Sequence, residues 1–339
     1  MRSNGSTLIL TDYDVRALLP VAACIDVMAD ALAEVARGTS TLPLRTVLRL
    51  AGTSNVFASM PAVHGAGAHG SIGAKVITVF PGNQDTPYDS HIGAVLLFDA
   101  EHGRLLAIAD ASSITAIRTA AVSGLATRLL ARHDAAELAL LGAGVLAVPH
   151  IEAMCAVRSI ARVRLWSRSE SRVQRLAAKL HLPGIEIIVA DSAKSAVLNA
   201  DIVCTITSAR TPVLEGHWLA PGTHVNAVGA SVRDARELDT EAVQRSRMFV
   251  DRRESTLAEA GDFLIPRAAG EIDDAHIVAE LGELLLGTAT GRQNAAEITL
   301  FKSLGLAVED VAALRYIYNS ALERNAGTMV RLGGMRDES

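Results

Sequence analysis

The sequence of 339 residues contains few cysteines, few aromatic side chains and no long hydrophobic run. Its three cysteines, Cys24, Cys155 and Cys204, are odd in number, widely spaced and set in apolar sequence, which argues against a disulfide framework or a zinc cluster. No apolar run approaches the ~20 residues that cross a bilayer, and residues 1–10 lack the pattern of a secretory signal. We therefore expect a cytoplasmic protein without a bound metal.

Charge is also scarce and is not concentrated in one sign. Charged residues make up 20% of the chain, the formal net charge is −5, and acidic and basic residues are interspersed. This distribution lacks the basic patch of a nucleic-acid-binding protein. Hydrophobic residues make up 50% of the chain and occur in short blocks, which predicts a large core, and the length favours two domains.

The N-terminal part of the sequence predicts helices on either side of antiparallel strands. Residues 20–38 carry apolar side chains at helical spacing and end in Gly38, a helix-stop residue. Residues 115–131 are rich in Ala and Leu and predict a second helix. Between these helices, the strands that we predict to pair as hairpins are residues 46–50, 73–80, 94–98 and 105–109.

From Glu137 the pattern changes to short apolar runs that alternate with helical segments. This alternation is typical of parallel strands joined by crossover helices. The fold class is therefore α/β, with a Rossmann-type doubly wound parallel sheet over residues 125–307. We expect a second, α+β domain over residues 1–124, completed by a long helix over residues 308–331. The strands predicted for the parallel sheet are residues 138–141, 163–166, 185–189, 202–206, 224–228 and 248–250, with a further short strand over 298–302.

The segment Gly142-Ala143-Gly144-Val145-Leu146-Ala147 lies directly after an apolar strand and before a helical stretch. Such a turn lets backbone amides at a helix N-terminus approach a pyrophosphate without obstruction by side chains. A Gly-x-Gly-x-x-Ala string alone also fits an ordinary glycine-rich turn. The strand–turn–helix context favours a dinucleotide site, with Gly142 and Gly144 beside the nucleotide.

The end of the second predicted strand favours NADPH over NADH. An NAD site normally carries an Asp or Glu there, about 20 residues after the glycines, that binds the ribose hydroxyls. Here Trp166 is followed by Ser167, Arg168 and Ser169. A guanidinium beside two hydroxyls suits a 2′-phosphate, because it forms charge-assisted and often bidentate bonds to it. The alternative is that Arg168 is a solvated turn residue.

Three basic residues, Arg45, Lys75 and Arg118, lie in sequence where a charge is costly. A buried cation must be paired or must serve a ligand. Each residue taken singly fits a salt-bridged or edge position. Taken together beside a dinucleotide fold, they predict a pocket for an anionic substrate.

The order of several short motifs resembles the ornithine cyclodeaminase and mu-crystallin family. The similarity runs from about residue 10 to about residue 330, and its motifs are specific to that family rather than to dinucleotide folds in general. The segments that carry it are residues 60–62 (MPA), 73–75 (GAK), 80–83 (FPGN), 115–121 (TAIRTAA), 142–147, 226–230 (NAVGA), 236–239 (RELD), 259–262 (EAGD), 279–283 (AELGE) and 299–305 (TLFKSLG).

The resemblance implies a homodimer in which the first domain supplies the dimer interface and the substrate pocket. It further implies that Arg45, Lys75 and Arg118 bind the substrate carboxylate, with Lys75 and Arg118 catalytic, and that Leu304 lies near the substrate. Fixed cations aimed at a carboxylate supply both orientation and charge stabilisation. The further cofactor contacts implied by the resemblance are Ser90, Val145, Leu146, Thr207, Val228 and Ser303.

Ser231 departs from the pattern of the cyclodeaminases in this family. Those enzymes carry an Asp at the corresponding place, where it acts on the amino group, and a hydroxyl is not a comparable base at neutral pH. The resemblance is therefore to the mu-crystallin and ketimine reductase members, which reduce cyclic imino acids. We expect hydride transfer from NADPH to a small cyclic 2-imino acid such as pyrroline-2-carboxylate or piperideine-2-carboxylate, with Lys75 holding or relaying the imine proton.

Several alternatives remain open at this point. The same residues would serve an amino-acid dehydrogenase of the alanine or arginine type, an ornithine cyclodeaminase, or a crystallin-like protein that binds NADPH without turnover. His91 fits either a ligand contact or a structural hydrogen bond. Glu259 fits either a substrate contact or a helix cap.

Overall fold

The computed structural model describes residues 5–65, 67 and 70–333, and the chain forms two compact units. The first unit comprises the described residues up to Arg118 and those from Leu306 onward, and the second runs from Thr119 to Gly305. The division after Arg118 falls within the helix Ala111–Leu130. Over the described residues, no helix combines the length and the apolar character needed to cross a membrane.

Strands form two sheets, one in each unit. In chain order the strands are β1 Ser6–Leu10, β2 Thr46–Arg49, β3 Val56–His64, β4 Ser71–Val79, β5 His91–Asp99, β6 Leu105–Asp110, β7 Glu137–Leu141, β8 Arg162–Trp166, β9 Glu186–Val189, β10 Ile202–Thr205, β11 His224–Ala227, β12 Ser246–Val250, β13 Ile277–Glu280, β14 Ile298–Lys302 and β15 Thr328–Arg331.

Helices cover the sheets and connect the parallel strands. In chain order they are α1 Asp12–Leu18, α2 Val21–Ala36, α3 Ala111–Leu130, α4 Ala147–Val157, α5 Glu170–Lys179, α6 Ala193–Val197, α7 Thr240–Gln244, α8 Arg253–Glu259, α9 Gly261–Ala268, α10 Leu281–Leu285 and α11 Ala307–Arg324.

The first unit is built on a seven-stranded sheet in the order β15-β1-β6-β5-β4-β3-β2. All neighbouring strands are antiparallel except β1 and β6. Helix α11 packs against β3, β4 and β5 and against α2. The packing is close at Gly73, where an added Cβ would lie 2.7 Å from Val311 Cγ2 and 2.6 Å from the Leu96 carbonyl oxygen. This glycine lets α11 lie directly on the strand that carries Lys75.

The second unit is built on an eight-stranded parallel sheet in the order β13-β12-β14-β11-β10-β7-β8-β9. Strands β8 and β9 follow β7 on one side, whereas β10 pairs with β7 on the other side. The chain therefore changes direction between β7 and β10, which is the switch point where doubly wound sheets bind ligands at the carboxyl ends of their strands.

The α/β fold class and all six strands predicted for the parallel sheet are confirmed, with ends that agree to within two residues. The sheet has two strands more than that set: β14, which was predicted separately, and β13, which was not predicted. The prediction of one helix over residues 308–331 is wrong at its end. Helix α11 stops at Arg324 because Asn325 adopts the left-handed conformation, with φ 53°. Residues Thr328–Arg331 then pair with β1 as strand β15.

Candidate active site

Lys75 and Arg118 lie side by side in the first unit, and both side chains are buried. Lys75 Nζ lies 2.7 Å from Asp310 Oδ2 and 3.4 Å from Thr115 Oγ1. Arg118 Nε donates to Asp310 Oδ1 at 3.0 Å, and Arg118 Nη1 donates to Glu309 Oε2 at 2.9 Å. The result is a buried cluster of two cations and two carboxylates on β4, α3 and α11.

The periodicity of the sequence explains why this cluster is buried. Alternate residues of β4, including Gly73, Lys75 and Ile77, face the covered side of the sheet, so Lys75 occupies an inward position. Glu309 and Asp310 lie in the first turn of α11, where carboxylates also favour the positive end of a helix dipole. Sequence reasoning predicted the cations but missed these two partners, whose only signal is a pair of adjacent acids within an apolar helical run.

The buried cluster shifts the ionisation of its members. Burial is the largest cause and lowers the pKa of Lys75, the neighbouring Asp310 raises it and Arg118 lowers it, which leaves the pKa at about 8. Burial would raise the pKa of Asp310, but the charges of Arg118 and Lys75 lower it below its usual range. Lys75 can therefore gain and lose a proton near neutral pH, while Asp310 stays ionised.

Arg45, Ser90 and His91 belong to the same unit. Arg45 is half-buried, and its charge contributes to the lowered pKa of Lys75. Ser90 Oγ and His91 Nδ1 share a hydrogen bond of 3.0 Å. His91 has an exposed surface, yet enough protein surrounds its ring that desolvation, followed by the charge of Lys75, lowers its pKa. If His91 has a structural role, Ser90 is its hydrogen-bond partner. The charge of Lys75 also acts on the His91 ring.

In the second unit, the predicted nucleotide contacts follow the carboxyl ends of the parallel strands. They come after β7, β8, β10, β11 and β14, so the fold brings them to one edge of the sheet around the switch point. Leu304 also lies in this unit, next to Ser303. The predicted cofactor residues at this edge are Gly142, Gly144, Val145, Leu146, Ser167, Arg168, Ser169, Thr207, Val228 and Ser303.

The turn after β7 combines a backbone that only glycine fits with open space beside it. Gly142 adopts φ 125°, and an added Cβ there would lie 2.8 Å from the Ile206 carbonyl oxygen, so only glycine fits. At Gly144 an added Cβ would meet no atom within 4 Å, and Val145 is 70% exposed. This open space lies before the N-terminus of α4, where unpaired backbone amides attract anions. The residues present therefore fit a dinucleotide.

The loop after β8 presents the polar side chains expected for a phosphate contact. Arg168 is exposed, and Ser167 and Ser169 are partly exposed. The Ser169 amide donates to Ser167 Oγ at 3.3 Å, which shapes the loop before α5. A guanidinium that reaches into solvent from this loop can bind a phosphate bidentately.

Glu237 ties together two of the loops that carry predicted nucleotide contacts, and sequence reasoning did not assign it a role. Its buried carboxylate accepts hydrogen bonds from the Thr207 amide at 2.6 Å, from Thr207 Oγ1 at 2.7 Å, from the Gly229 amide at 2.7 Å and from Thr205 Oγ1 at 2.8 Å. Burial and the nearby Asp262 raise the pKa of Glu237. Four donors on one carboxylate fix the ends of β10 and β11 relative to each other.

Asp251 and Asp262 hold neighbouring parts of the same edge. Asp251 Oδ2 accepts hydrogen bonds from the amides of Leu304 and Gly305 at 2.6 and 2.8 Å. Asp262 Oδ2 lies 2.9 Å from Lys302 Nζ. The Leu304 backbone is thus fixed by a buried carboxylate rather than by strand pairing.

The family model for the ornithine cyclodeaminase/mu-crystallin family matches residues 6–325 of the sequence. The chain belongs to this family. The resemblance predicted from the order of the sequence motifs is thereby confirmed.

Named proteins and solved structures are similar to most of the chain. The ketimine reductase mu-crystallin of Mus musculus is 40% identical over 278 residues, which are 82% of this chain and 84% of that protein. The structure of Thermococcus litoralis Delta(1)-pyrroline-2-carboxylate reductase, in complex with NADH and L-proline, is 38% identical with a TM-score of 0.92 and covers 96% of this chain and 100% of that one. An archaeal alanine dehydrogenase dimer with bound NAD is 30% identical with a TM-score of 0.90, over 97% and 100%.

These similarities confirm the prediction of a nicotinamide-dependent oxidoreductase. Ser231, which the resemblance predicts to replace the acid–base Asp of the cyclodeaminases, is half-buried in the loop after β11. Glu259 is the last residue of α8. Ala260 is the N-cap residue of the following helix α9, and the two interpretations of Glu259, a substrate contact or a helix cap, both stay predictions.

Proposed function

We propose that this chain reduces small cyclic ketimines of the pyrroline-2-carboxylate or piperideine-2-carboxylate type, with NADPH, to cyclic L-amino acids. The observation that carries the proposal is the burial of the Lys75 ammonium beside Arg118, together with a pKa of Lys75 that is lowered to about 8. Such a group can hold or supply a proton at neutral pH. The names of the similar reductases support the same reaction class.

The proposed roles follow from the charges of the residues. Arg45 and Arg118 bind the substrate carboxylate and orient the imine carbon. Lys75 holds the proton on the imine nitrogen, so that the nitrogen can accept the electron pair of the C=N bond. A nucleotide held by the turn after β7 and the loop after β8 would supply the hydride for the new C–H bond and would be oxidised by this transfer. An iminium is already electrophilic, and the residues need to supply position rather than a strong base.

We propose NADPH as the preferred nucleotide because Ser167, Arg168 and Ser169 follow β8 without a carboxylate. An exposed guanidinium there favours a 2′-phosphate. The Thermococcus litoralis relative was solved with NADH, so the preference in this chain rests on Arg168 and not on that relative.

A second candidate function is an amino-acid dehydrogenase that reductively aminates a 2-oxo acid. The similarity to the archaeal alanine dehydrogenase supports this second function. The same cations and the same hydride chemistry would serve both reactions. The test is NADPH consumption by the purified chain against a panel of cyclic ketimines, and against pyruvate and other 2-oxo acids with ammonia. Turnover of the 2-oxo acids at rates above those of every ketimine would replace the first proposal with the second.

We also propose that the first unit forms a homodimer through the uncovered face of its sheet. Apolar side chains of neighbouring strands point outward together there: Phe57, Val63, Ile72 and Ile92 are 37–44% exposed. A contiguous apolar patch on a sheet marks an interaction surface. Light scattering of Ile72→Lys beside the wild type tests this: a dimer that becomes a folded monomer supports the proposal, whereas a wild-type monomer contradicts it.

A further inference from the structure

Asp310 contacts both predicted catalytic cations at once. Its Oδ2 lies 2.7 Å from Lys75 Nζ, and its Oδ1 accepts a hydrogen bond from Arg118 Nε at 3.0 Å. We propose that Asp310 is a positioning residue of the active site, whose two oxygens fix the Lys75 ammonium and the Arg118 guanidinium relative to each other. This inference rests on the proposed function, because Asp310 acts through Lys75.

The fold makes this contact rigid. Asp310 lies in the first turn of α11, and the next residue, Val311, packs on Gly73 of β4. Glu309 binds a second nitrogen of Arg118, Nη1, at 2.9 Å. The guanidinium is therefore held at two atoms by two adjacent carboxylates, and Lys75 is tied to the same group. Side chains that are locked in this way keep a substrate contact in place at little entropic cost.

The charge of Asp310 also decides which form of Lys75 is present. Lys75 is a buried cation beside a second cation, and both burial and like charge favour loss of its proton. Asp310 opposes these effects, and its own pKa is lowered, so it stays ionised over the working range. Among the described residues, the groups whose charges affect Lys75 or are affected by it are Asp310 on α11, Arg118 on α3, His91 on β5 and Arg45 in the segment before β2. Glu309 on α11 and Cys24 on α2 lie beside Arg118 and Asp310.

The test compares Asp310→Asn with Glu309→Gln. Both substitutions remove one buried carboxylate that binds Arg118, but only the first removes the partner of Lys75, so the second controls for lost stability. The sequence has four lysines, Lys75, Lys179, Lys194 and Lys302. Side-chain NMR of lysine-labelled protein can therefore follow the titration of Lys75 without turnover, with Lys75→Met to assign its signal. The pH profile of kcat/KM for pyrroline-2-carboxylate is measured in parallel.

In Asp310→Asn we expect the pKa of Lys75 and the alkaline limb of the pH profile to move down together by about one pH unit or more, since an adjacent opposite charge shifts a pKa by roughly 1–3 units. In Glu309→Gln both should move much less, because Glu309 binds Arg118 and only Asp310 contacts Lys75. A folded Asp310→Asn protein in which neither moves overturns the proposal. If Lys75 titrates as expected but the wild type reduces no ketimine, the proposed function fails while the inference about Asp310 stands.

A second variant covers the case in which Asp310→Asn does not fold. Asp310→Glu keeps the charge but moves the carboxylate by one methylene. We expect the pKa of Lys75 to stay close to the wild type, while kcat falls ~10-fold or more because the cations are displaced, as small misplacements at a reacting centre do. Full kcat in a folded Asp310→Glu protein would show that position is immaterial, and the proposal would be wrong.

Discussion

Lys75 and Asp310 form a buried ion pair between β4 and α11, with Nζ and Oδ2 2.7 Å apart. The pair gives the burial of Lys75 a structural explanation. A buried cation must be paired or serve a ligand, and Lys75 is paired. Burial alone therefore does not mark Lys75 as catalytic. What supports its proposed role is that burial outweighs the charge of Asp310 and leaves the pKa of Lys75 at about 8, so that the ammonium can lose its proton near neutral pH.

This pKa predicts the pH dependence of ketimine reduction. The ammonium form is the active one in the proposed mechanism, and the folded protein lowers the pKa of Lys75 to about 8. The rate should therefore be lost as the pH rises through about 8, more than two pH units below the value for a free lysine. The measurement is kcat/KM from pH 6 to 10, corrected for the separately measured ionisation of the ketimine. A profile that stays flat to pH 10 would contradict the role of Lys75.

Lys75→Met separates chemistry from packing, because it keeps the apolar stem and removes only the ammonium. Asp310 then retains Arg118 as its partner, so we expect the protein to fold and to bind NADPH. Loss of a proton donor or carboxylate contact costs on the order of 100-fold in rate. The measurements are ketimine-dependent NADPH oxidation, NADPH affinity and the thermal midpoint.

Arg118 needs a milder substitution than Lys75. Removal of the guanidinium would leave Glu309 and Asp310 buried with a single cation, and an uncompensated buried charge typically costs about 3–5 kcal/mol. Arg118→Lys keeps the charge and loses the two-atom contact. Near-wild-type turnover in folded Lys75→Met, or in folded Arg118→Lys, would assign that residue a structural role.

How far the sequence could predict the fold depended on the kind of signal. The parallel strands were found because β7 and β10, for example, contain short apolar runs with polar boundaries. Strand β15 was missed because residues 308–331 share one helical periodicity, and the break depends on a left-handed Asn325 and on pairing with β1. Long-range pairing of this kind leaves no local pattern in a sequence.

The candidate site shows the same division. Lys75 and Arg118 stood out because charge interrupts apolar sequence, whereas Asp310 became meaningful only when α11 was seen on β4. Glu237 looked like one residue of a family motif. Its function as an acceptor for Thr207 and Gly229 depends on strands that meet at a sheet edge, and spacing along the chain does not reveal that contact.

Ser231 predicts that the protein is not an ornithine cyclodeaminase. A serine hydroxyl is not ionised at neutral pH and is a poor general base without an activating partner. Incubation with L-ornithine and oxidised nucleotide should therefore yield no proline, as measured by amino-acid analysis beside a ketimine reduction assay. Proline formation at a rate similar to ketimine reduction would show that another group performs the deamination.

Arg168 predicts the nucleotide preference. In the wild type, kcat/KM should be higher with NADPH than with NADH, because the exposed guanidinium can bind the 2′-phosphate. Arg168→Ala should lose ~10-fold or more with NADPH, since a charge-assisted contact is worth about 1.5–3 kcal/mol, and change little with NADH. Arg172→Ala, in α5 of the same region, is the matched control for lost positive charge. Equal use of both nucleotides by the wild type would contradict the prediction.

Glu237, which lies in the second unit, offers a substitution that should impair nucleotide binding. Each of its carboxylate oxygens accepts a backbone amide, Thr207 on Oε1 and Gly229 on Oε2. In Glu237→Gln one oxygen becomes an NH2 group, and in either orientation that group faces an N–H donor. In one orientation the Thr207 amide loses its acceptor, at a cost of about 1–3 kcal/mol; in the other the Gly229 amide keeps only the Thr205 carbonyl oxygen, at 3.2 Å.

We therefore expect Glu237→Gln to lower the thermal midpoint and to weaken NADPH binding several-fold, because the loops after β10 and β11 lose part of their shared acceptor although the strands themselves stay paired. Calorimetric titration with NADPH and thermal unfolding measure the two effects. Glu186→Gln, at an exposed glutamate of β9, is the control and should change neither. The pH at which Lys75 titrates should also stay unchanged, since that depends on Asp310. Wild-type NADPH affinity in a destabilised Glu237→Gln protein would restrict Glu237 to a role in stability.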